Sequence, residues 1–127
     1  MDEKTINNYR DLNVWKKAIA LTKSIYEATG SFPKAELFGL TSQARRAAVS
    51  IPSNIADGFG RAQRKPFVQF LRVAQGSLKE LETQALLCGR IGFLSEQEIA
   101  DLMSRCGRLG KRFVQFIRSL NQAENGE

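Results

Sequence analysis

The chain has 127 residues, of which 43% are hydrophobic, and it contains no histidine. The length predicts one domain over residues 1–127, with an ordered core from about residue 11 to 121. Without histidine, Ser-His and Cys-His catalysis and histidine metal sites are excluded. The 19 Lys and Arg exceed the 13 Asp and Glu, and this net charge of +6 favours an anionic partner.

The positions of the two cysteines and the hydropathy pattern predict free thiols and no membrane-spanning segment. Cys88 and Cys106 do not form a Cys-x-x-Cys motif and lie in apolar helical patterns, which favours two free, buried thiols. The first residues lack the apolar core of a signal peptide, and no apolar run approaches the roughly 18 residues of a membrane span. We therefore expect a cytoplasmic protein with no membrane association.

The first predicted helix covers Val14–Thr29, where apolar residues recur every three or four positions. Either Asp11 or Asn13 can cap its beginning. Trp15 and Tyr26 share the apolar phase of this helix, so packing in the core is favoured over stacking on nucleic-acid bases.

The second predicted helix lies within Glu36–Gly60, and its apolar side is mostly alanine, which lets neighbouring helices approach closely. Residues 36–38 either begin this helix or form a separate turn. Pro52 lies inside the pattern and predicts a kink near residues 49–51, since it removes one backbone donor. We expect Asn54 to satisfy the carbonyl groups that Pro52 leaves without a partner.

Two further helices complete the pattern. The third runs from Pro66 to about Ile91, where Val68 and Leu86 widen the apolar face and make self-association plausible. The fourth begins at a capping box, Ser95 to Glu98. Four amphipathic helices with short connections predict an all-α, up-down-up-down four-helix bundle with a proline-kinked second helix.

A catalytic site is not indicated by the remaining side chains. Carboxylates for acid and base catalysis could come from Glu36, Asp57, Glu80 and Glu82, but Glu80 and Glu82 point to different faces of one helix. A di-metal bundle site would require Glu-x-x-His pairs. The chain is therefore predicted to be no enzyme and to need no cofactor or metal.

Cations on the polar sides of the third and fourth helices give the strongest functional signal. They are more numerous than solubility requires, although a solvated face would show the same pattern. The candidate RNA-binding residues are Arg61, Arg64, Lys65, Arg72, Arg105, Arg108, Lys111, Arg112 and Arg118.

A second set of polar residues is interpreted as structural. Arg45 and Arg46 lie on the second helix, and we expect ion pairs with Glu36, Glu82 or a neighbouring subunit. The polar residues assigned to structure are Glu36, Gln43, Arg46, Asn54 and Glu82.

The order of these motifs resembles one bacterial protein family. The resemblance runs from about Asp11 to Leu120 and is most specific in the second helix, from Gly39-Leu40 through Ser53-Asn54-Ile55-Ala56, and in Glu80-Leu81-Glu82-Thr83-Gln84. The chain is similar to the four-helix-bundle proteins encoded in intervening sequences of large-subunit (23S) ribosomal RNA genes, which are related to the accessory variability protein of diversity-generating retroelements. Asp57 stands where the family usually has Glu.

The resemblance implies a homopentameric barrel with a basic surface suited to RNA or an RNA-protein complex. Three functions remain open from the sequence. The leading hypothesis is a non-enzymatic, oligomeric scaffold that binds RNA. The alternatives are an interaction module that docks a polymerase-like protein partner, and an intervening-sequence protein with no dedicated ligand.

Overall fold

Four α-helices make up most of the computed structural model, which describes residues 6–124 except for the side chain of Glu124. No β-strand occurs in this part of the chain, so the all-α prediction is confirmed. The predicted domain extends at both ends into residues 1–5 and 125–127, which lie outside the described residues. The helices are α1 (Asn13–Thr29), α2 (Leu40–Gly60), α3 (Arg64–Arg90) and α4 (Glu96–Glu124).

Each helix packs beside the next, and α4 also packs against α1, which closes the bundle. Three side-chain contacts show which residues lie at the same level. Thr22 Oγ1 is 3.1 Å from the Ala48 carbonyl oxygen, and the Ser50 and Ser77 hydroxyl oxygens are 2.8 Å apart. Near this level Arg105 of α4 donates to Ser24 of α1 at 2.6 Å.

The helix boundaries follow the local chemistry with one exception. The capping box is present, because the Ser95 hydroxyl accepts from Glu98 N at 3.1 Å and the Glu98 carboxylate accepts from Ser95 N at 2.8 Å. A separate 3-10 turn, Lys34–Glu36, precedes α2. At α1 the predicted cap is wrong: the N-cap residue is Leu12, which has no side-chain hydrogen bond to offer.

One apolar core lies between the four helices, and its largest fully buried side chain is Phe113. The small residues of α2 allow the close approach expected of them. A Cβ atom added at Gly58 would lie 2.6 Å from the Cβ of Phe70. On α1 the expected burial of the apolar pattern fails at two residues, because Tyr26 is 44% exposed and Ile19 is 42% exposed.

Pro52 is buried in the middle of α2, and its missing donor leaves the Ala48 carbonyl without the usual helical partner. Thr22 of α1 supplies a hydroxyl to that carbonyl, while sharing its proton with the Ala18 carbonyl at 2.8 Å. Asn54 instead donates to the Ser50 carbonyl at 2.8 Å. The role expected of Asn54 is therefore filled by Thr22, and the kink near residues 49–51 stays a prediction.

Candidate nucleic-acid interface

Positive charge is concentrated in one half of the bundle. We define the basic half as residues 6–21, 50–77 and 109–124, which lie on one side of the level set by the contacts described above, and the distal half as residues 22–49 and 78–108. The basic half has ten Lys and Arg against three acids, a difference of +7. The distal half has eight against seven, a difference of +1. The ten cations are Arg10, Lys16, Lys17, Arg61, Arg64, Lys65, Arg72, Lys111, Arg112 and Arg118.

The groove between α1 and α4 brings together cations from both helices. It has a volume of about 290 Å³ and is lined by Lys17, Arg105, Arg108 and Arg112, with Asp101 as its acid. A neighbouring groove of about 490 Å³ adds Lys16 beside Arg112. The two grooves present five cations that a phosphate backbone can contact together.

Two arginines of the α1/α4 groove, both predicted to bind RNA, fall in the distal half at its boundary with the basic half, and both already have partners within the chain. Arg105 forms an ion pair with Asp101 at 3.3 Å and donates to Ser24 at 2.6 Å. Arg108 donates to the Ser104 hydroxyl at 2.7 Å. These contacts fix the direction of both guanidinium groups, and a guanidinium has five N–H donors, so further donors remain for a ligand.

Arg118 does not lie with the other arginines of α4. It lines a separate groove of about 310 Å³ between α3 and α4, together with Arg72 and the amides of Gln75 and Asn121. Lys111 is exposed on the outer side of α4. The candidate residues of α4 therefore spread around the helix and do not form one stripe.

The turn between α2 and α3 supplies the remaining candidates. The Arg61 guanidinium lies over the Phe70 ring, 5.0 Å from its centroid, and Arg64 and Lys65 are exposed in the first turn of α3. Ala62, between them, has φ of 59°, in the left-handed region. The turn thus presents its cations at the end of the basic half.

The two halves also differ in how their helix N-termini are capped, while each half contains two helix N-termini and two helix C-termini. The α1 and α3 helices begin in the basic half, and neither has a side-chain cap on its first N–H groups. The α2 and α4 helices begin in the distal half, where Glu36 accepts from Leu40 N at 3.2 Å and Glu98 completes the capping box. Uncapped helix N-termini carry partial positive charge and attract anions.

Arg10, Lys16 and Lys17 are the basic residues that sequence reasoning missed. In the sequence, Lys16 and Lys17 belong to the polar side of an ordinary amphipathic helix, and Arg10 precedes it. The association of Lys16 and Lys17 with Arg112 depends on α1 packing beside α4, which helical periodicity alone does not give.

The polar residues assigned to structure have several different roles. Glu36 caps α2, and Glu82 pairs with Lys79 at 3.4 Å. Gln43 and Arg46 line an outer groove between α2 and α3 that also contains Glu80.

Within the described part of the chain neither Arg45 nor Arg46 pairs with Glu36 or Glu82, and an ion pair with a neighbouring subunit stays a prediction. Arg45 donates to the Thr29 hydroxyl at 2.9 Å, and its guanidinium lies 4.5 Å from the Tyr26 ring centroid. Among the described residues, the two salt bridges are Lys79–Glu82 and Arg105–Asp101.

The two thiols are free and buried. Burial, followed by the nearby Glu82 carboxylate, raises the pKa of Cys106 to about 12, while Lys79 lowers it slightly. Burial and Glu36 also raise the pKa of Cys88. Both groups are neutral thiols at physiological pH, which makes them poor nucleophiles. Over residues 6–124 no group of three or more metal-ligating side chains is placed to hold a metal ion.

Fold and charge together define a class: a small all-α bundle whose cations gather at one end. More specifically, the chain belongs to the 23S rRNA-intervening sequence protein family, whose model matches residues 10–115. The resemblance drawn from the sequence motifs is thereby confirmed at the level of the family.

A solved structure has the same fold. It is described as a protein with unknown function from the S23 ribosomal protein family of Bacteroides thetaiotaomicron, and it shares 20% identity with a TM-score of 0.73. The match covers 82% of this chain and 97% of the other. No curated protein is significantly similar to the chain. Within the described helices, none combines the length and apolarity needed to cross a membrane.

Proposed function

We propose that this protein is a non-enzymatic, oligomeric scaffold that binds RNA through its basic half. The supporting observation is the uneven distribution of charge, +7 in the basic half and +1 in the distal half. An excess that served solubility alone would have no reason to gather at one end of the bundle. Phosphate contacts dominate the affinity of proteins for nucleic acids, and clustered Lys and Arg provide them.

Two features of the basic half favour RNA over a generic acidic surface. Cations of the basic half line two grooves and a turn, an arrangement that suits a flexible or folded polyanion which can pass from one to the next. The uncapped N-termini of α1 and α3 add backbone donors at the same end. The family's name mentions 23S rRNA, and the related structure is described as a member of the S23 ribosomal protein family; both names support an RNA partner.

Assembly would strengthen this binding. Five copies of a chain with a net charge of +6 carry +30, and a pentamer would repeat the basic half around a ring. Linked contacts act at a high effective concentration, so individually weak sites bind together if the RNA reaches more than one. The pentamer is part of the proposal and follows from the family resemblance.

The test compares two variants with the same loss of charge. Arg64→Glu with Lys65→Glu removes exposed cations from the basic half, and Lys23→Glu with Lys34→Glu removes exposed cations from the distal half. Each variant lowers the net charge by the same amount. We expect the first to weaken binding of a labelled RNA hairpin by about tenfold or more, and the second by less than about threefold.

Equal loss in both variants would refute the assignment to the basic half, because only net charge would then matter. No affinity of the wild-type protein for the hairpin at low salt would refute RNA binding itself. In that case recovery of a polymerase-like protein from nuclease-treated extract would favour the docking module instead.

A further inference from the structure

Exposed apolar side chains gather at the end of the bundle opposite the basic half. In the described part of the chain, ten large hydrophobic residues are exposed, and five of them lie on the α1–α2 connection, in the last turns of α3 or at its C-cap. Phe38 is 92% exposed, and the other four are 44% to 49% exposed. We call this set the apolar tip: Leu37, Phe38, Leu86, Leu87 and Ile91.

Contacts between the two connections place these residues at one end. The rings of Phe32, before α2, and Phe93, after α3, have centroids 5.3 Å apart. The α2 and α3 helices pack side by side, with the start of α2 near the end of α3. Glu36 is also near enough to Cys88 to raise its pKa.

A groove beside the tip is suited to an aromatic side chain. It lies between the end of α3 and the start of α4, has a volume of about 340 Å³, and presents mostly apolar surface. Leu86, Leu94 and Ile99 line it, and Gly89 allows the Ile99 side chain to pack closely against α3. Leu86 was one of two residues predicted to widen the apolar face, and the other, Val68, is buried in the core.

We propose that the apolar tip joins two copies of this chain, with Phe38 of one copy seated in the α3/α4 groove of the other. The assignment rests on the oligomeric part of the proposed function, and it names the contact surface. Phe38 and the groove are different surfaces of the chain. In a dimer each copy would insert its Phe38 into the groove of the other, and in a closed ring each copy would insert it into the groove of the next copy.

Charge favours a second copy as the occupant. Two basic halves, each carrying +7, repel each other, whereas the distal halves are nearly neutral and can approach. Lys34 and Arg90 lie at the distal end with Glu96 and Glu98, so both signs are available for pairing between copies. Association through the distal end also leaves the basic half of each copy accessible to RNA.

The area of the tip is sufficient for a specific contact. Taking the exposed fractions with ordinary side-chain areas, the five residues expose roughly 500 Å², at the upper end for a patch on a monomer. Two copies that covered such areas would bury about 1,000 Å² in total, which reaches the lower limit for specific interfaces. A single exposed aromatic residue at the centre of such a contact is the usual position of a hot spot.

The test is the mass in solution of three variants over a range of concentrations without RNA. Phe38→Ala removes the inserted ring, and Leu86→Glu places a charge in the groove. Val114→Ala is the matched control, since Val114 is 46% exposed but lies in the basic half. Circular dichroism shows whether each variant keeps its helix content.

We expect the wild type and Val114→Ala to assemble, and both tip variants to raise the dissociation constant at least tenfold. A monomeric wild type at all concentrations, or assembly unchanged in both tip variants, would overturn the assignment. RNA affinity is measured separately, so a monomer that binds RNA refutes the tip alone. An assembly that dissociates on Phe38→Ala yet never binds RNA supports the tip and refutes the RNA proposal.

Discussion

Replacing Thr22 with valine tests how the bundle accommodates a proline inside its central helix. Valine has nearly the shape of threonine and a similar helix propensity, so the main change is the loss of the hydroxyl. The Ala48 carbonyl would then have neither its helical donor at position 52 nor the Thr22 hydroxyl at 3.1 Å.

The expected loss of stability is about 1 kcal/mol. An unsatisfied buried polar group costs about 1 to 3 kcal/mol. The lower end applies, because the Thr22 proton is shared with the Ala18 carbonyl and the site is only partly buried. For a chain of this size the change corresponds to a fall in Tm of about 3 to 5 °C.

A double-mutant cycle with Pro52→Ala assigns the loss to the carbonyl. Alanine at position 52 restores the N–H that can donate to Ala48, so Thr22→Val should lose about 0.5 kcal/mol or more of its effect in that background. Urea denaturation measures all four free energies of unfolding. Thr83→Val is a control, since Thr83 makes a similar bond to the Lys79 carbonyl at 3.0 Å on the exposed side of α3. An equal effect of Thr22→Val in both backgrounds would refute the reasoning.

Three more outcomes follow from the packing and the pKa values. Ala62→Gly should raise the free energy of unfolding by about 0.5 kcal/mol, since φ at this position is 59°; a loss of stability in urea would contradict it. Gly58→Ala should lower it by about 1 to 3 kcal/mol, because the new Cβ would lie 2.6 Å from that of Phe70; an unchanged urea midpoint would contradict the close approach. Cys106 has a pKa of about 12 in the folded chain against the ordinary 9.0, so above pH 9 the unfolded state loses a proton that the folded state keeps. Stability should therefore fall between about pH 9 and 12, less steeply in Cys106→Ala.

Local signals predicted the fold well because each acts over a few residues. The capping box at Ser95 and Glu98 marks the start of α4, and periodicity identifies the four helices. Where a contact joins distant parts of the chain, local signals gave the wrong partner. Thr22 satisfies the carbonyl assigned to Asn54, from 26 positions away.

In the candidate site too, the residues marked by a local sequence signal were predicted, and those brought together by helix packing were not. Arg64 and Lys65 stand out in the sequence as adjacent cations in a turn, and they lie exposed at the end of the bundle. Lys16 and Lys17 carry no such signal, because they become neighbours of Arg112 only when α1 packs beside α4. The difference in charge between the basic half and the distal half is visible only in the folded chain, because it depends on which residues of the four helices lie at the same level of the bundle.

The salt dependence of RNA binding tests the central claim most directly. If about four to six cations of the basic half meet phosphates, the logarithm of the affinity should fall with the logarithm of salt concentration with a slope of about −3 to −5. Arg64→Glu with Lys65→Glu should make that slope shallower by about 1.5 to 2, and Lys23→Glu with Lys34→Glu should leave it unchanged. A slope near zero, or one that the distal variant changes as much as the basic variant does, would contradict binding through the basic half.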